Sequence, residues 1–361
     1  MSEHLHLTID GKPAQALPGE TVLDAAARLG VDIPTLCHDS RLETMGCCRM
    51  CLVEVEGQRR LQPACTWKAN EGQSVVTDSE RVQRHQRLLL EMYLADHAPA
   101  AASNENGGEA FLPPNQVLEL AERYGAVSSL TPVEAPRSKR TDLNPYITYD
   151  PAQCILCNRC VRYCDEVEAV SAITLVGRGS ETTISTANDI GLLDSTCELC
   201  GGCIDTCPTG AMREKKPGAL ESGVHSELSL VRSTCNFCGV GCQVEMNVAG
   251  GRVVKVTSPP AGETLNDGNL CVKGRFAYDF VHHEDRLTTP LIREDGVLRE
   301  ATWDEALQRA AEGLLGVKER WGADALGFIS SSRCTGEENY LVQKLARAAF
   351  GTNNCHQCAA T

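Results

Sequence analysis

The sequence predicts a modular α+β chain, a string of small domains each folded around bound metal, in place of one large domain. Three observations carry this. The 361 residues exceed what one ordinary core serves. Only 4% of residues are aromatic, a proportion that suits modules held together by ligation. The 20 cysteines fall in spaced groups along the chain. Bound metal contributes folding free energy where apolar burial is scarce, so the third observation compensates for the second.

From the amino terminus, Leu5, Leu7 and Ile9 alternate before the turn pair Asp10-Gly11, and a second extended run ends at Pro18-Gly19, which reads as a hairpin. Thr21 is placed to cap a following helix, Val22, Leu23, Ala26 and Ala27 give it an apolar stripe, and Gly30 stands at its stop. A strand at Cys51 to Val55 and an extended exit past Cys65 complete a small sheet crossed by one helix. Cys37, Cys48, Cys51 and Cys65 suit a 2Fe-2S rhombus, whose irons each take two sulfurs, one pair coming from a tight loop. The spacing Cys37-x10-Cys48-x2-Cys51-x13-Cys65 and the string GCCRMC resemble the N-terminal module of the large iron-sulfur subunit of respiratory complex I, of iron-only hydrogenases and of soluble NAD-linked formate dehydrogenases. The resemblance implies a β-grasp 2Fe-2S domain over residues 1–80, with Cys48 as ligand and Cys47 as a small bystander thiol.

In those families a helix ending in Asp-His is followed by three cysteines that join the histidine on a cubane. Here Leu88, Leu89, Met92 and Tyr93 mark the helix and Asp96-His97 ends it, but Ala101, Asn104 and Ala110 stand at the cysteine positions, in the loop-like stretch AAASNENGGEA. One imidazole cannot hold a cubane, so residues 81–125 read as a degenerate cluster segment with an empty site and a structural or exposed His97. Residues 126–145, with Pro132, Pro136, Pro145 and the charged run Arg137 to Arg140, read as a linker.

Residues 146–216 carry one spacing twice, Cys154-x2-Cys157-x2-Cys160-x3-Cys164 and Cys197-x2-Cys200-x2-Cys203-x3-Cys207, the second closed by Pro208. In such a pair the first three cysteines of each run hold one 4Fe-4S cluster and the fourth reaches the other, because a short loop surrounds only part of a cube. Cys154, Cys157, Cys160 and Cys207 are therefore expected on one cluster, and Cys197, Cys200, Cys203 and Cys164 on its neighbour. Zinc and disulfides compete for cysteines in general, but this doubled register argues against both. Between the runs, Ala172 to Ile184 reads as an extended insert in a ferredoxin-like twin 4Fe-4S domain.

After a linker from Lys215 to Gly223, Cys235-x2-Cys238-x3-Cys242 and the distant Cys271 form a fourth set. The longer second gap and remote fourth ligand leave room for a small β-rich subdomain at Gln243 to Val248 and Arg252 to Val256. A zinc ribbon could use a similar arrangement. The strings CNFCGVGC and NLCVKGR, however, resemble the small β-rich 4Fe-4S domain, here residues 228–284, that opens molybdenum or tungsten bis-pterin oxidoreductases. In that family the lysine two residues past the last ligand, here Lys273, bridges cluster and pterin. HHEDRLTTPLIRE and the helix opening Thr302-Trp303-Asp304-Glu305 look like the junction into an incomplete α/β pterin-binding domain, residues 285–361. There Ala325 to Ile329 is expected as a buried strand, SSSRCTGEEN as a loop and Asn339 to Phe350 as a helix, an order that forms an anion cradle suited to a pterin phosphate.

SSRCTGEENYLVQKLARAAFGTNN resembles formate dehydrogenase alpha subunits. In that family Asn-Asn leads to Cys-Ala-Arg, one further residue, and the cysteine or selenocysteine that binds molybdenum. The sequence ends at Cys358-Ala359-Ala360-Thr361, so the metal ligand is expected next, at a recoded UGA codon. Cys334, Cys355 and Cys358 are left to packing. The resemblance implies a longer product that oxidises formate to carbon dioxide. It would carry one 2Fe-2S cluster, three 4Fe-4S clusters and a molybdenum or tungsten bis-pterin guanine dinucleotide, and pass electrons to a flavin-bearing, NAD-reducing partner subunit. No catalytic residue is expected in the 361 residues, which are expected to be inactive alone. The alternative is a non-catalytic electron conduit like the complex I subunit.

A formal charge of -14 argues against a nucleic-acid partner. MSEHLHLTID lacks an apolar signal core, Arg59-Arg60 lies too deep for an export signal, and no apolar run approaches a membrane span. A cytoplasmic protein is expected, since a reducing compartment keeps thiolates available for iron.

Overall fold

The computed structural model of the chain describes residues 4–97, 115–130, 137, 142–215 and 228–358. It divides into two compact units, Met1–Gly223 and Val224–Thr361. The expectations for Ala101, Asn104 and Ala110, for half of the first linker and nearly all of the second, and for Ala359 to Thr361 with a metal ligand after them lie outside the described residues.

The first unit opens with the expected hairpin, β1 (Leu5–Ile9) antiparallel to β2 (Lys12–Ala16). Asp10 and Gly11 both take positive φ at its turn, the twist that a two-residue hairpin loop demands. α1 (Val22–Arg28) starts at Thr21, whose hydroxyl and backbone N–H exchange hydrogen bonds with the Asp24 backbone and carboxylate in a capping box. β3 (Leu52–Val55), β4 (Gln62–Pro63) and β5 (Ser74–Val76) complete a five-stranded sheet in the order β2-β1-β5-β3-β4. Past Cys65 the chain first turns, then bridges to Thr21 in antiparallel fashion at Lys68, and its next strand is β5, which runs parallel to β1. Leu7, Ile9, Val22, Ala25, Val53 and Val75 form the core between sheet and helix.

α2 (Glu80–Asp96) spans the expected helical segment, but its buried face is Val82, Gln86 and Leu90. Of the four residues that mark it in the sequence, Leu89 and Tyr93 pack against the second core, while Leu88 and Met92 are 47% and 61% exposed. α3 (Gln116–Tyr124) packs beside it, capped by Asn115 and stopped by Gly125 in the left-handed region. Leu36, Met50, Leu90 and Val117 build a second core, with Ile155 and Cys157 against it. β6 (Ile147–Tyr149) pairs with β9 (Met212–Glu214) across the twin-cysteine region, enclosing α4 (Arg159–Arg162), a π-helical turn at Tyr163–Val167, and α5 (Gly202–Asp205). The insert between the runs folds as a hairpin, β7 (Ile173–Val176) with β8 (Thr183–Thr186).

The second unit begins with an antiparallel sheet of β10 (Ser229–Thr234), β11 (Gln243–Ala249) and β12 (Arg252–Thr257). Val244, Val256 and Leu270 form its small core, and α6 (Val272–Phe276) follows Cys271. A hairpin, β13 (Leu291–Glu294) with β14 (Val297–Glu300), leads to α7 (Trp303–Trp321), capped by the Thr302 hydroxyl. β15 (Phe328–Ser331), α8 (Gly336–Lys344) and β16 (Cys355–Cys358) close the unit, the two strands pairing in parallel. The strand expected as buried is offset to β15, which pairs with β16, and Ile329 on it is 74% exposed.

Candidate iron-sulfur sites

Cys37, Cys48, Cys51 and Cys65 are all buried, in a loop laid against the edge of the first sheet. Cys48 N donates to Cys37 Sγ at 3.5 Å and Leu36 N donates to Cys48 Sγ at 3.4 Å. The thiols of Cys47 and Cys48 donate to Cys37 and hold its pKa far below the ordinary thiol value, while Cys37 pushes theirs up. Cys51 and Cys65 form a second such pair, with Cys65 lowered and Cys51 raised. Thiols this crowded ionise one per pair unless bound cations neutralise the charge. Cys47 differs from Cys48 in being exposed, and its Sγ lies 3.7 Å from the Cys157 carbonyl oxygen.

The two repeated runs have the same backbone shape. Leu156 and Leu199 both sit at φ 54°, and Asn158 and Gly201 follow in the left-handed region at the starts of α4 and α5. These reversals aim backbone N–H groups at sulfur, Leu156 N to Cys154 Sγ and Leu199 N to Cys197 Sγ, each at 3.4 Å. Ala172 N donates to Cys164 Sγ at 3.2 Å and Met212 N to Cys207 Sγ at 3.4 Å. Hydrogen bonds of this kind to sulfur tune the potential of any cluster bound to it. Each run carries its fourth cysteine a helical turn away from the first three. As a result one cavity is lined by Cys154, Cys157, Cys160 and Cys207, and another by Cys164, Cys197, Cys200 and Cys203. Burial pushes the Cys157 thiol up to about 12 and the fully enclosed Cys160 well above the ordinary value, so neither ionises cheaply without metal.

His97 is buried, with Nε2 2.9 Å from Asn115 Nδ2, which makes it a structural histidine. The side chain of Arg137, in the segment expected as a linker, is only 4% exposed and ties α2 to the first cysteine run. It pairs with Asp96 at 2.7 Å and donates to the Cys154 carbonyl at 2.6 Å.

In the second unit Cys235 N donates to the Cys242 carbonyl at 2.8 Å, which draws the first run closed. Burial, then the neighbouring thiols of Cys238 and Cys271, raises the pKa of Cys235 and Cys242. Lys273 is exposed on α6. Gly239 lets its loop lie on the loop after β15, where a Cβ would stand 2.9 Å from the Ser332 carbonyl oxygen. The start of α8, expected as a phosphate cradle, is taken up by its own capping box of Thr335 and Glu338, with Glu337 also in the first turn. These carboxylates oppose an anion there.

Among the described residues no group of three or more His, Cys, Asp or Glu side chains is gathered as for a single metal ion. In the twin region the sulfurs stand around cavities instead, and an all-sulfur donor set of four fits an iron-sulfur cube. Two features escaped the sequence reading. Asp39, Arg159, Arg162 and Thr206 each lie within two residues of a cysteine and reach across between cysteine loops. Gly202 lies flat under the Tyr163 ring. Only the adjacency of these residues to cysteines could have signalled them.

The fold and the cysteine sets define a modular iron-sulfur protein. Residues 2–80 match the 2Fe-2S iron-sulfur cluster binding domain, and residues 144–213 the ferredoxin-like domain of NADH-quinone oxidoreductase subunit 3. Residues 228–283 match the molybdopterin oxidoreductase Fe4S4 domain, and residues 286–361 the molybdopterin oxidoreductase family. The NADPH-Fe(3+) oxidoreductase alpha subunit of Geobacter sulfurreducens is 39% identical over 96% of this chain and 39% of its own length. An NADH-quinone oxidoreductase subunit of Rhizobium meliloti is 37% identical over 97% and 40%. A provisionally named formate dehydrogenase of Staphylococcus aureus is 30% identical over 99% and 39%. The chain thus spans about two fifths of the length of these relatives. A chain in the crystal structure of an NAD+-reducing NiFe-hydrogenase in the H2-reduced state is 31% identical, with a TM-score of 0.51 over 58% of this chain and 87% of that one. The chain thus joins regions that match molybdopterin oxidoreductase domains to regions that match 2Fe-2S and ferredoxin-like domains. No helix among the described residues is long and apolar enough to cross a membrane.

Proposed function

We propose that this chain is the electron-transfer half of a formate dehydrogenase alpha subunit in the cytoplasm, linked to NAD through a flavin-bearing partner. Cys37, Cys48, Cys51 and Cys65 would hold a 2Fe-2S cluster in a β-grasp domain, residues 1–80. Cys154, Cys157, Cys160 and Cys207 would hold one 4Fe-4S cluster, and Cys164, Cys197, Cys200 and Cys203 another, in residues 146–216. Cys235, Cys238, Cys242 and Cys271 would hold a third in residues 228–284, with Lys273 toward a molybdenum or tungsten bis-pterin guanine dinucleotide. Such clusters supply one-electron steps between a two-electron substrate and a nicotinamide acceptor.

The observation that carries the reading is the close approach of two cysteine sets. The Cys37 loop and the Cys157 loop touch through Cys47, at 3.7 Å. Formate as the substrate draws its support from the Staphylococcus aureus relative. A second reading, a conduit without pterin chemistry, is favoured by the match to the subunit 3 ferredoxin-like domain and by the 37% identity to the Rhizobium meliloti protein.

Anaerobic purification of the full-length gene product tests both. The first reading expects iron, molybdenum or tungsten, and formate-dependent reduction of a dye. Iron without either heavy metal supports the conduit. Colourless, zinc-loaded protein with no paramagnetic signal on reduction sinks both.

A further inference from the structure

Asp39 is buried, two residues past Cys37. Its carboxylate accepts Arg41 Nε at 3.0 Å on Oδ1 and Arg41 Nη2 at 2.9 Å on Oδ2, a fork that fixes its plane. Oδ2 also accepts the Thr206 hydroxyl at 2.8 Å and lies 3.6 Å from Arg159 Nη2. Thr206 immediately precedes Cys207, and Arg159 immediately precedes Cys160. One carboxylate therefore joins the loop leaving Cys37 to both chain segments that bring sulfur to the Cys154 cavity.

Further crossings lie beside it. Arg162 Nη2 donates to the Cys37 carbonyl at 2.5 Å, and Nη1 donates to the Glu43 carbonyl. Glu43 N donates to Glu166 Oε2 at 2.7 Å. The Arg41 guanidinium stacks 4.9 Å from the centre of the Tyr163 ring, next to Cys164. The loops so joined are irregular, with Arg49, Leu156 and Asn158 at positive φ, and among the described residues they share no strand ladder that would set their spacing.

Burying charge costs several kcal/mol per ion, and apolar side chains of similar volume often hold two segments together as firmly. Directional bonds add what apolar contact lacks, a fixed distance and orientation. We propose that Asp39, with Arg41, Arg159, Arg162 and Thr206, is a clasp that sets the gap between the Cys37 loop and the Cys154 loop. Asp39 and Thr206 are then positioning residues for the passage of electrons between the two loops. This rests on the electron-transfer reading above.

The test uses the full chain, loaded with iron and reduced anaerobically, and reads spin relaxation in place of turnover. A reduced 2Fe-2S signal relaxes faster when a second reduced cluster lies close, so the microwave power that saturates it reports the gap. Asp39→Asn and Thr206→Val are compared with the parent at equal iron content. The expected result is a several-fold fall in saturating power for Asp39→Asn and a smaller fall for Thr206→Val, with every cluster signal retained. Parent-like saturation in both variants overturns the clasp while leaving the electron-transfer reading intact. If Asp39→Asn fails to load iron, Thr206→Val decides, since it removes one hydroxyl and no charge. A parent protein without cluster signals overturns the electron-transfer reading itself, and the clasp with it.

Discussion

Replacing Gly202 with alanine probes the closest packing in the twin-cysteine region. A Cβ on Gly202 would stand 1.9 Å from Tyr163 Cε1, 2.4 Å from Cζ and 2.7 Å from Cδ1. Carbon atoms in contact prefer about 3.5–4.0 Å, so the ring would have to retreat by roughly 1.5–2 Å. The ring is 1% exposed and covered on one side by the Arg41 guanidinium, and the open space beside it is the Cys197 cavity, which the proposed cluster would fill. Overpacking of this kind costs about 1–3 kcal/mol, and a ring without an escape path belongs at the upper end. For a domain of 150–250 residues, about 3 kcal/mol corresponds to a fall of roughly 6–12 °C in Tm. Because Tyr163 is followed by Cys164, the displacement also moves a sulfur of the Cys197 cavity. The assay is anaerobic thermal unfolding of parent and Gly202→Ala at one scan rate, with iron counted in each. Gly202→Ala with Tyr163→Leu, which makes room for the methyl group, should recover part of the loss. A single variant with parental Tm and iron content would refute the packing argument.

Other outcomes rest on the same geometry. Cys48→Ala should abolish the 2Fe-2S signal, whereas Cys47→Ala should retain it, because Cys48 is buried in the loop and Cys47 is exposed; equal loss in both would overturn the assignment. Cys207→Ala should cost about 4 iron atoms per chain from the cavity that holds Cys154, and Cys164→Ala about 4 from the cavity that holds Cys197. Resonance signals that stay paired with their own run in these variants would reject the crossed arrangement. His97 supplies a pH dependence. Burial lowers its pKa below the ordinary 6.5, so the folded state refuses a proton that the unfolded chain accepts. The stability His97 confers is full above about 6.5 and drains as pH falls below it, in spite of Asp150 and Asp96 nearby. Denaturant midpoints of parent and His97→Gln between neutral and mildly acidic pH should converge on the acid side; parallel curves would exclude His97 as the source.

The hairpin at Asp10-Gly11, the Thr21 cap and the stop at Gly30 were legible because they are local, each set by residues a few positions apart. The cysteine runs were legible for the same reason, since spacing along a short loop limits what the sulfurs can surround. Helical spacing marked α2 but not which residues it buries: of Leu88, Leu89, Met92 and Tyr93, Leu89 and Tyr93 pack on the second core and Tyr93 reaches the Cys48 carbonyl, while Leu88 and Met92 are exposed. Spacing likewise could not name the partners of Arg137, a carboxylate and carbonyls that come from distant residues.

By itself the sequence determined that the chain carries 2Fe-2S and 4Fe-4S domains, and where the hairpin and the main helices lie. Tertiary structure alone decided that Asp39 meets Thr206 across 167 positions, that Gly202 carries the Tyr163 ring, and that His97 turns to Asn115. The physical reason is range. Capping, turn strain and ligand spacing act within a few residues, whereas a buried ion pair or a ring against a backbone exists only once chain entropy has been overcome elsewhere.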